Sequence, residues 1–226
     1  MTALEMQSAF ELESGMIDKT LKPLSVDIFY WINRAIEKFT KTRYDGYNPK
    51  REGFEQTQKR IDDLRTLVKE VTISTTTGST KPNGVIATLP NDYMFMVGEE
   101  VDVTYTDNHS VVITQRDAVT ETNVNSYARE IKNTLGEYNL HYGLARPLRL
   151  FYGNTIELIT DGNYTVPTYY LRYIKVPAVV ALPSTNCDLP TQCHSEIVKM
   201  AVGMYVESIK DDGRYKTIEN ELNTME

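Results

Sequence analysis

The stretch "CDLPTQCHSEIVKMAVGMYV", Cys187 to Val206, holds both cysteines of the chain and one of its three histidines within eight residues. Thiolates and imidazoles are the ligands of structural zinc, and a thiol of lowered pKa is a redox nucleophile. The spacing favours neither chemistry. A zinc site draws three or four ligands to one point, commonly from CxxC pairs or from His at i and i+4, whereas the pattern here is CxxxxxCH. If Pro190 opens a helix, Cys193 and His194 point about 100° apart and share one metal only awkwardly. His109 and His141 sit in turn-like sequence. A reactive thiol wants positive surroundings, and Cys193 has Asp188 and Glu196 beside it.

Other reactive patterns are missing from the sequence. There is no GxSxG, no P-loop and no GxGxxG, and "TTTGST" lacks the Lys-Ser/Thr and helix of a phosphate cradle. "DGNYT" at Asp161 reads as a turn, without the series of oxygen ligands of a calcium loop. The acid pairs Asp62-Asp63, Glu99-Glu100 and Asp211-Asp212 read as solvated. The expectation is no catalytic, cofactor-binding or metal site, hence no enzyme and no cofactor. An enzyme reading would have to rest on the neighbourhood of Cys193 and His194.

With 226 residues, the chain is long enough to bury about 70% of its unfolded surface around a real core. No apolar run approaches the roughly 20 residues of a membrane helix, so no membrane partner is expected. The N-terminus lacks the basic start and apolar centre of a secretion signal, and two cysteines suggest reduced thiols. A net charge of −7 argues against tight binding to a phosphate backbone. Fifteen tyrosines serve either a core or contact surfaces.

The elements that would position these residues follow from periodicity. An amphipathic helix is expected over Ala3 to Glu13. A second starts after Pro23 with Ser25 as N-cap and Asp27 in its first turn, carries Lys41 and Arg43 in its last turn, and stops at Gly46. Its face is Ile28, Ile32, Ala35, Ile36 and Phe39, thickened by Phe29, Tyr30 and Trp31. After a Gly/Pro turn, Phe54, Thr57, Ile61, Leu64 and Val68 predict one more helix, whose polar face reads as a solvated mixture of charges. At Val71 the period changes to alternation, giving a hairpin or arm with a mobile Ser/Thr/Gly tip around Gly78 to Gly84. Two strands turn at Asp107-Asn108, and a helix follows through Val124, Tyr127, Ile131, Leu135 and Tyr138. Three more strands turn at Gly153-Asn154 and Asp161-Gly162-Asn163, and the last alternates Tyr169, Leu171, Tyr173 against Tyr170, Arg172, Ile174. The closing helix, with Asp188 as a local cap and Pro190 in its first turn, presents Ile197, Ala201, Met204, Tyr205 and Ile209. An acidic tail follows Asp211.

The fold class is therefore α+β. An N-terminal helical hairpin packs with the C-terminal helix, and a β-rich middle region projects from them. The expected division is 1–70 helical, 71–186 β-rich with one short helix, and 187–226 closing helix and tail. The candidate packing residues, between helices or subunits, are Phe29, Tyr30, Trp31, Ile32, Phe39, Ile197, Ala201, Met204 and Tyr205.

Three segments resemble the ring or head-to-tail connector proteins of crAss-like and related tailed phages. A capped helix ending in Thr42-Arg43-Tyr44 precedes the "FE.....IDDL..L" pattern of Phe54 to Leu67. Leu89, Pro90, Asp92 and Tyr93 form "LPxDY". "Y.L.YIK.P", Tyr169 to Pro177, is followed by "C.LP...H.EIV..AV", Cys187 to Val202. These occur in the family's order across about residues 25 to 210, and a longer helix around Tyr127 to Leu135 departs from its pattern.

The resemblance implies a virion structural protein: a subunit of a homo-oligomeric ring, a dodecamer, in the head-to-tail junction or tail barrel. Its implied partners are other copies of itself, the portal, further tail rings and genomic DNA passing non-specifically through the lumen, with assembly in the host bacterial cytoplasm. A second reading remains open, a tail-associated binding module that docks a fibre protein or glycan through its β region.

Overall fold

The computed structural model of the protein describes residues 1–15, 23–45, 51, 53–209, 218–220 and 222. The stop at Gly46, the Gly/Pro turn and most of the acidic tail lie outside these residues. The chain forms a mixed α+β fold with two compact units, Met1–Leu67 with Val176–Glu226, and Val68–Lys175.

In the first unit, α1 (Ala3–Glu13) starts at a capping box. Thr2 Oγ1 accepts from the Glu5 amide at 3.2 Å and the Glu5 carboxylate accepts from the Thr2 amide at 2.9 Å. Ser25 is not the cap of α2 (Ser25–Tyr44) but its first residue, and Leu24 holds the N-cap position. The Ser25 hydroxyl is turned instead to α1, where it accepts from Gln7 Nε2 at 3.1 Å. The α2 stripe Ile28, Ile32, Ala35, Ile36 and Phe39 is buried, and so is Phe29.

The single helix expected through Phe54 and Val68 is divided. A 3-10 turn, Phe54–Gln56, precedes the short α3 (Gln58–Leu64), and Val68 already opens a strand. The run Val68–Ser74 is rich in β-branched residues and pairs along its whole length with Thr168–Ile174, so long-range pairing overrides the local three-to-four spacing. A 3-10 turn, Thr191–Cys193, leads into α5 (His194–Ser208), which packs on α1 and α2. The Tyr205 ring sits 5.6 Å from Phe10 of α1 and 6.4 Å from Trp31 of α2. Asn33 fastens the connection that precedes α5. Its amide nitrogen donates to the Val180 carbonyl (3.0 Å) and its amide oxygen accepts from the Val180 N–H (2.7 Å).

The second unit holds two sheets. β1 (Val68–Ser74), β9 (Tyr164–Lys175), β4 (Tyr93–Thr106) and β5 (Val112–Ala118) lie in that order and are antiparallel. β2 (Thr76–Thr77), β3 (Gly84–Thr88), β8 (Thr155–Ile159), β7 (Leu148–Tyr152) and β6 (Thr120–Glu121) form the other, parallel only between β6 and β7. One core collects residues from both: Ala87, Val101, Val103, Ile156, Leu158, Val166 and, from β9, Tyr169, Leu171 and Tyr173. The alternation expected along β9 thus places those last three inward.

Three local expectations are refined here. The expected hairpin forms across the Ser/Thr/Gly tip but is short: the two residues of β2 pair antiparallel with β3, while β1 pairs with β9. The expected mobile tip is tied down, because Glu157 accepts from Ser79 Oγ (3.2 Å) and the Thr80 amide (3.4 Å), and the Lys81 ammonium lies 5.0 Å from the centre of the Tyr127 ring. The helix near Tyr127 is only α4 (Val124–Glu130), has no buried residue and ends well before the exposed Leu135. Its apolar spacing past Ile131 belongs to a succession of turns.

Candidate functional site

Of the residues that invited a chemical reading, Cys193 lies at a buried ionic cluster of the helical unit. Arg43, in the last turn of α2, is 2% exposed. Its Nε donates to Asp63 of α3 at 3.1 Å and its Nη2 donates to Glu196 of α5. The guanidinium carbon stands 4.8 Å from the centre of the Phe39 ring. Asp63 also accepts from Gln192 Nε2 (3.2 Å) and from the Cys193 thiol (3.3 Å). Arg60, read from sequence as solvated, is buried and donates to the Thr42 carbonyl at 3.1 Å. Asp63, also read as solvated, is buried too, and Glu196 is buried with it.

The electrostatics make this cluster a fastening rather than a reaction centre. Burial pushes the Glu196 carboxyl up, and the Arg43 charge opposes that shift. Burial, with the Asp63 carboxylate beside it, pushes the Cys193 thiol far up, which holds it protonated and unreactive. Burial also raises the half-buried Cys187 thiol. His194 looks elsewhere: its Nε2 bonds the Leu189 carbonyl at 2.9 Å, and its Nδ1 lies 2.7 Å from the Met1 amino nitrogen. Nε2 therefore carries the proton, and burial depresses the pKa so that the ring is neutral. Among the described residues no group of three His, Cys, Asp or Glu is placed to hold a metal ion.

The β unit has its own polar fastenings. Tyr169 donates to Glu99 at 2.8 Å, Arg149 pairs with Glu99 (3.3 Å) and Glu121 (3.0 Å), and these residues link β9 and β4 of one sheet to β7 and β6 of the other. Glu99 is thus not the solvated member of an acid pair, and burial raises its carboxyl against the pull of Arg149. Tyr173 donates to Asp92 at 2.7 Å, and Asp92 also holds Lys69 at 2.6 Å. Burial pushes the Tyr173 phenol up to about 12. On the outer face of the first sheet, Arg116 covers Tyr170 at 3.7 Å and Arg172 pairs with Glu70 at 3.1 Å.

The residues singled out for packing separate into two groups. Phe29, Ile32, Phe39, Ile197 and Ala201 are buried within the helical unit. Tyr30 is 54% exposed, while Trp31, Met204 and Tyr205 are half-buried. Ile209 is exposed and off the buried face of α5, which runs through Ile197, Val198, Ala201, Val202 and Val206. Trp31 and Met204 line a groove of about 490 Å³ with Arg34, Lys38, Glu207 and Ser208. Arg34 donates to the Tyr30 hydroxyl at 3.0 Å. Sequence reasoning passed over Arg34 and Lys38, although their spacing from Tyr30 and Trp31 by three, four and seven residues was a usable signal.

Among the described residues no helix is long and apolar enough to cross a membrane. A family model described as phage tail ring protein 3/4 matches residues 26–216, which include most of both units. No curated protein matches the chain.

Proposed function

Because this chain belongs to the phage tail ring protein 3/4 family of crAss-like phages, we propose that its copies close into a homo-oligomeric ring around the DNA exit channel. The protein is a structural component of a bacteriophage tail. The finer reading is a dodecamer in the head-to-tail connector or tail barrel, stacked on the portal or on other rings and assembled in the host cytoplasm. The observation that carries it is the extent of the family match, which runs from α2 to beyond α5 and takes in every buried ionic cluster described above.

The physical chemistry supports the reading. A closed ring of identical subunits needs two different side faces that complement each other by rotation. A net charge of −7 disfavours a tight grip on phosphates by counterion release, which suits DNA sliding past it. Native mass spectrometry and electron microscopy of the purified chain, with its incorporation into particles, test the proposal. Rings of one chain, or particles carrying many copies in one layer, are expected. A monomer at high concentration that also fails to enter particles overturns it.

A further inference from the structure

The groove between α2 and α5 and the outward face of α1 are two complementary surfaces on one chain. The groove offers Trp31 and Met204 as apolar floor and the exposed cations Arg34 and Lys38 on its α2 side. Trp, Met and Arg are the side chains that protein contacts favour at their centres. α1 is held to its own unit through buried Ala3, Met6 and Phe10. Its opposite face exposes Leu4 (61%) and Leu12 (68%), two turns apart. The helix carries Glu5, Glu11 and Glu13 and no Lys or Arg.

Resting on the ring reading above, we propose that α1 of one copy lies in the α2/α5 groove of the next copy. Leu4 and Leu12 cover Trp31 and Met204, and the carboxylates of Glu5 and Glu11 face Arg34 and Lys38. The contact is heterologous: one subunit presents the helix and its neighbour the groove, the geometry from which a ring closes. Glu207, on the α5 side, repels the acidic flank of α1 and so fixes which way the helix lies. α1 precedes the segment matched by the family model, whereas the groove lies within it.

The test uses assemblies formed from equal amounts of ordinary and ¹⁵N-labelled full-length chain, treated with a carbodiimide that joins a carboxylate to an ammonium within hydrogen-bond range. Mixed-isotope peptide pairs linking Lys38 to Glu5 or Glu11 are expected. Arg34→Glu with Lys38→Glu should lower ring yield by roughly tenfold or more through like-charge contact, and adding Glu5→Lys with Glu11→Lys should restore it. Restoration also excludes misfolding as the cause of the loss. Links between copies that bypass Lys38 and α1, or full ring yield in the variant carrying Arg34→Glu with Lys38→Glu, each overturn the inference while leaving the ring intact. Assemblies without any mixed-isotope link overturn this contact, whereas a chain that stays monomeric and also fails to enter particles overturns the ring reading itself.

Discussion

Arg43 near the end of α2 and Asp63 near the end of α3 form an ion pair 3.1 Å long, with both side chains almost fully buried. Glu196 of α5 accepts from another nitrogen of the same guanidinium. Three helices are thereby registered by one planar cation with two carboxylates. Replacing such a cluster by apolar groups can be neutral, whereas removing one member strands the others. Arg43→Met removes from two buried carboxylates the cation they share and should cost about 3–5 kcal/mol, read from urea unfolding of the full chain. A loss below about 1 kcal/mol, within the range of exposed pairs, would show that the cluster contributes nothing as a fastening.

His194 gives a pH signature of defined sign. Its folded pKa lies below the ordinary value near 6.5 because burial disfavours the charged ring. Between those two values the unfolded chain binds more protons, so the stability from neutral His194 is complete above about pH 6.5 and is lost as pH falls toward and through the depressed value. Glu196 acts oppositely: its raised carboxyl takes a proton first in the folded state, so it favours folding as pH falls. Unfolding free energies of wild type and His194→Gln at pH 7.5 and 5.5 separate the two, since Glu196 cancels in the difference. Wild type should lose more stability than the variant on acidification; equal losses contradict the assignment.

The Tyr169 hydroxyl is a donor to a carboxylate inside the β unit. Tyr169→Phe keeps the ring packed and removes one partner from Glu99, and hydrogen bonds to charged groups contribute about 1.5–3 kcal/mol. A loss in that range is expected in urea at pH 7, with little change when Tyr152, 78% exposed on β7, is changed to Phe.

Two glycines separate backbone strain from steric exclusion. Gly153 has φ +60 with open space where a Cβ would stand, whereas at Gly143, with φ +82, the Cβ would meet the Tyr105 hydroxyl at 2.5 Å. Gly153→Ala should cost about 1–2 kcal/mol, the penalty of the left-handed conformation. Gly143→Ala should cost more, because Tyr105 must also move. Equal thermal shifts in the two variants would mean that Tyr105 yields freely.

The legible parts of the fold were those set by local periodicity. The α2 stripe from Ile28 to Phe39 and the alternation of Tyr169, Leu171 and Tyr173 are patterns that burial makes directly. Val68 misled because a three-to-four spacing ending in a β-branched run fits a helix until β9, about a hundred residues on, claims that run as a strand partner. Asp63 and Arg60 looked solvated for the same reason: Arg43 precedes Asp63 by 20 residues, and Cys193 and Glu196 follow it by 130 and 133. The sequence segments that carried the family resemblance are joined by these distant contacts. Arg43 of the Thr-Arg-aromatic element meets Asp63 of "IDDL" and Glu196 of "H.EIV", and Asp92 of "LPxDY" meets Tyr173 of "Y.L.YIK.P". The cysteine and histidine stretch that first suggested a metal centre is part of the same fastening.

The proposed closure of copies of this chain around the path of the DNA is decided by cryo-electron microscopy of intact virions with the chain's density identified. One closed layer of identical subunits, twelve to the ring, encircling the channel in the tail or its junction with the head is expected. Density for this chain only on fibres or the outer tail surface, or as isolated copies outside a rotational ring, would contradict it.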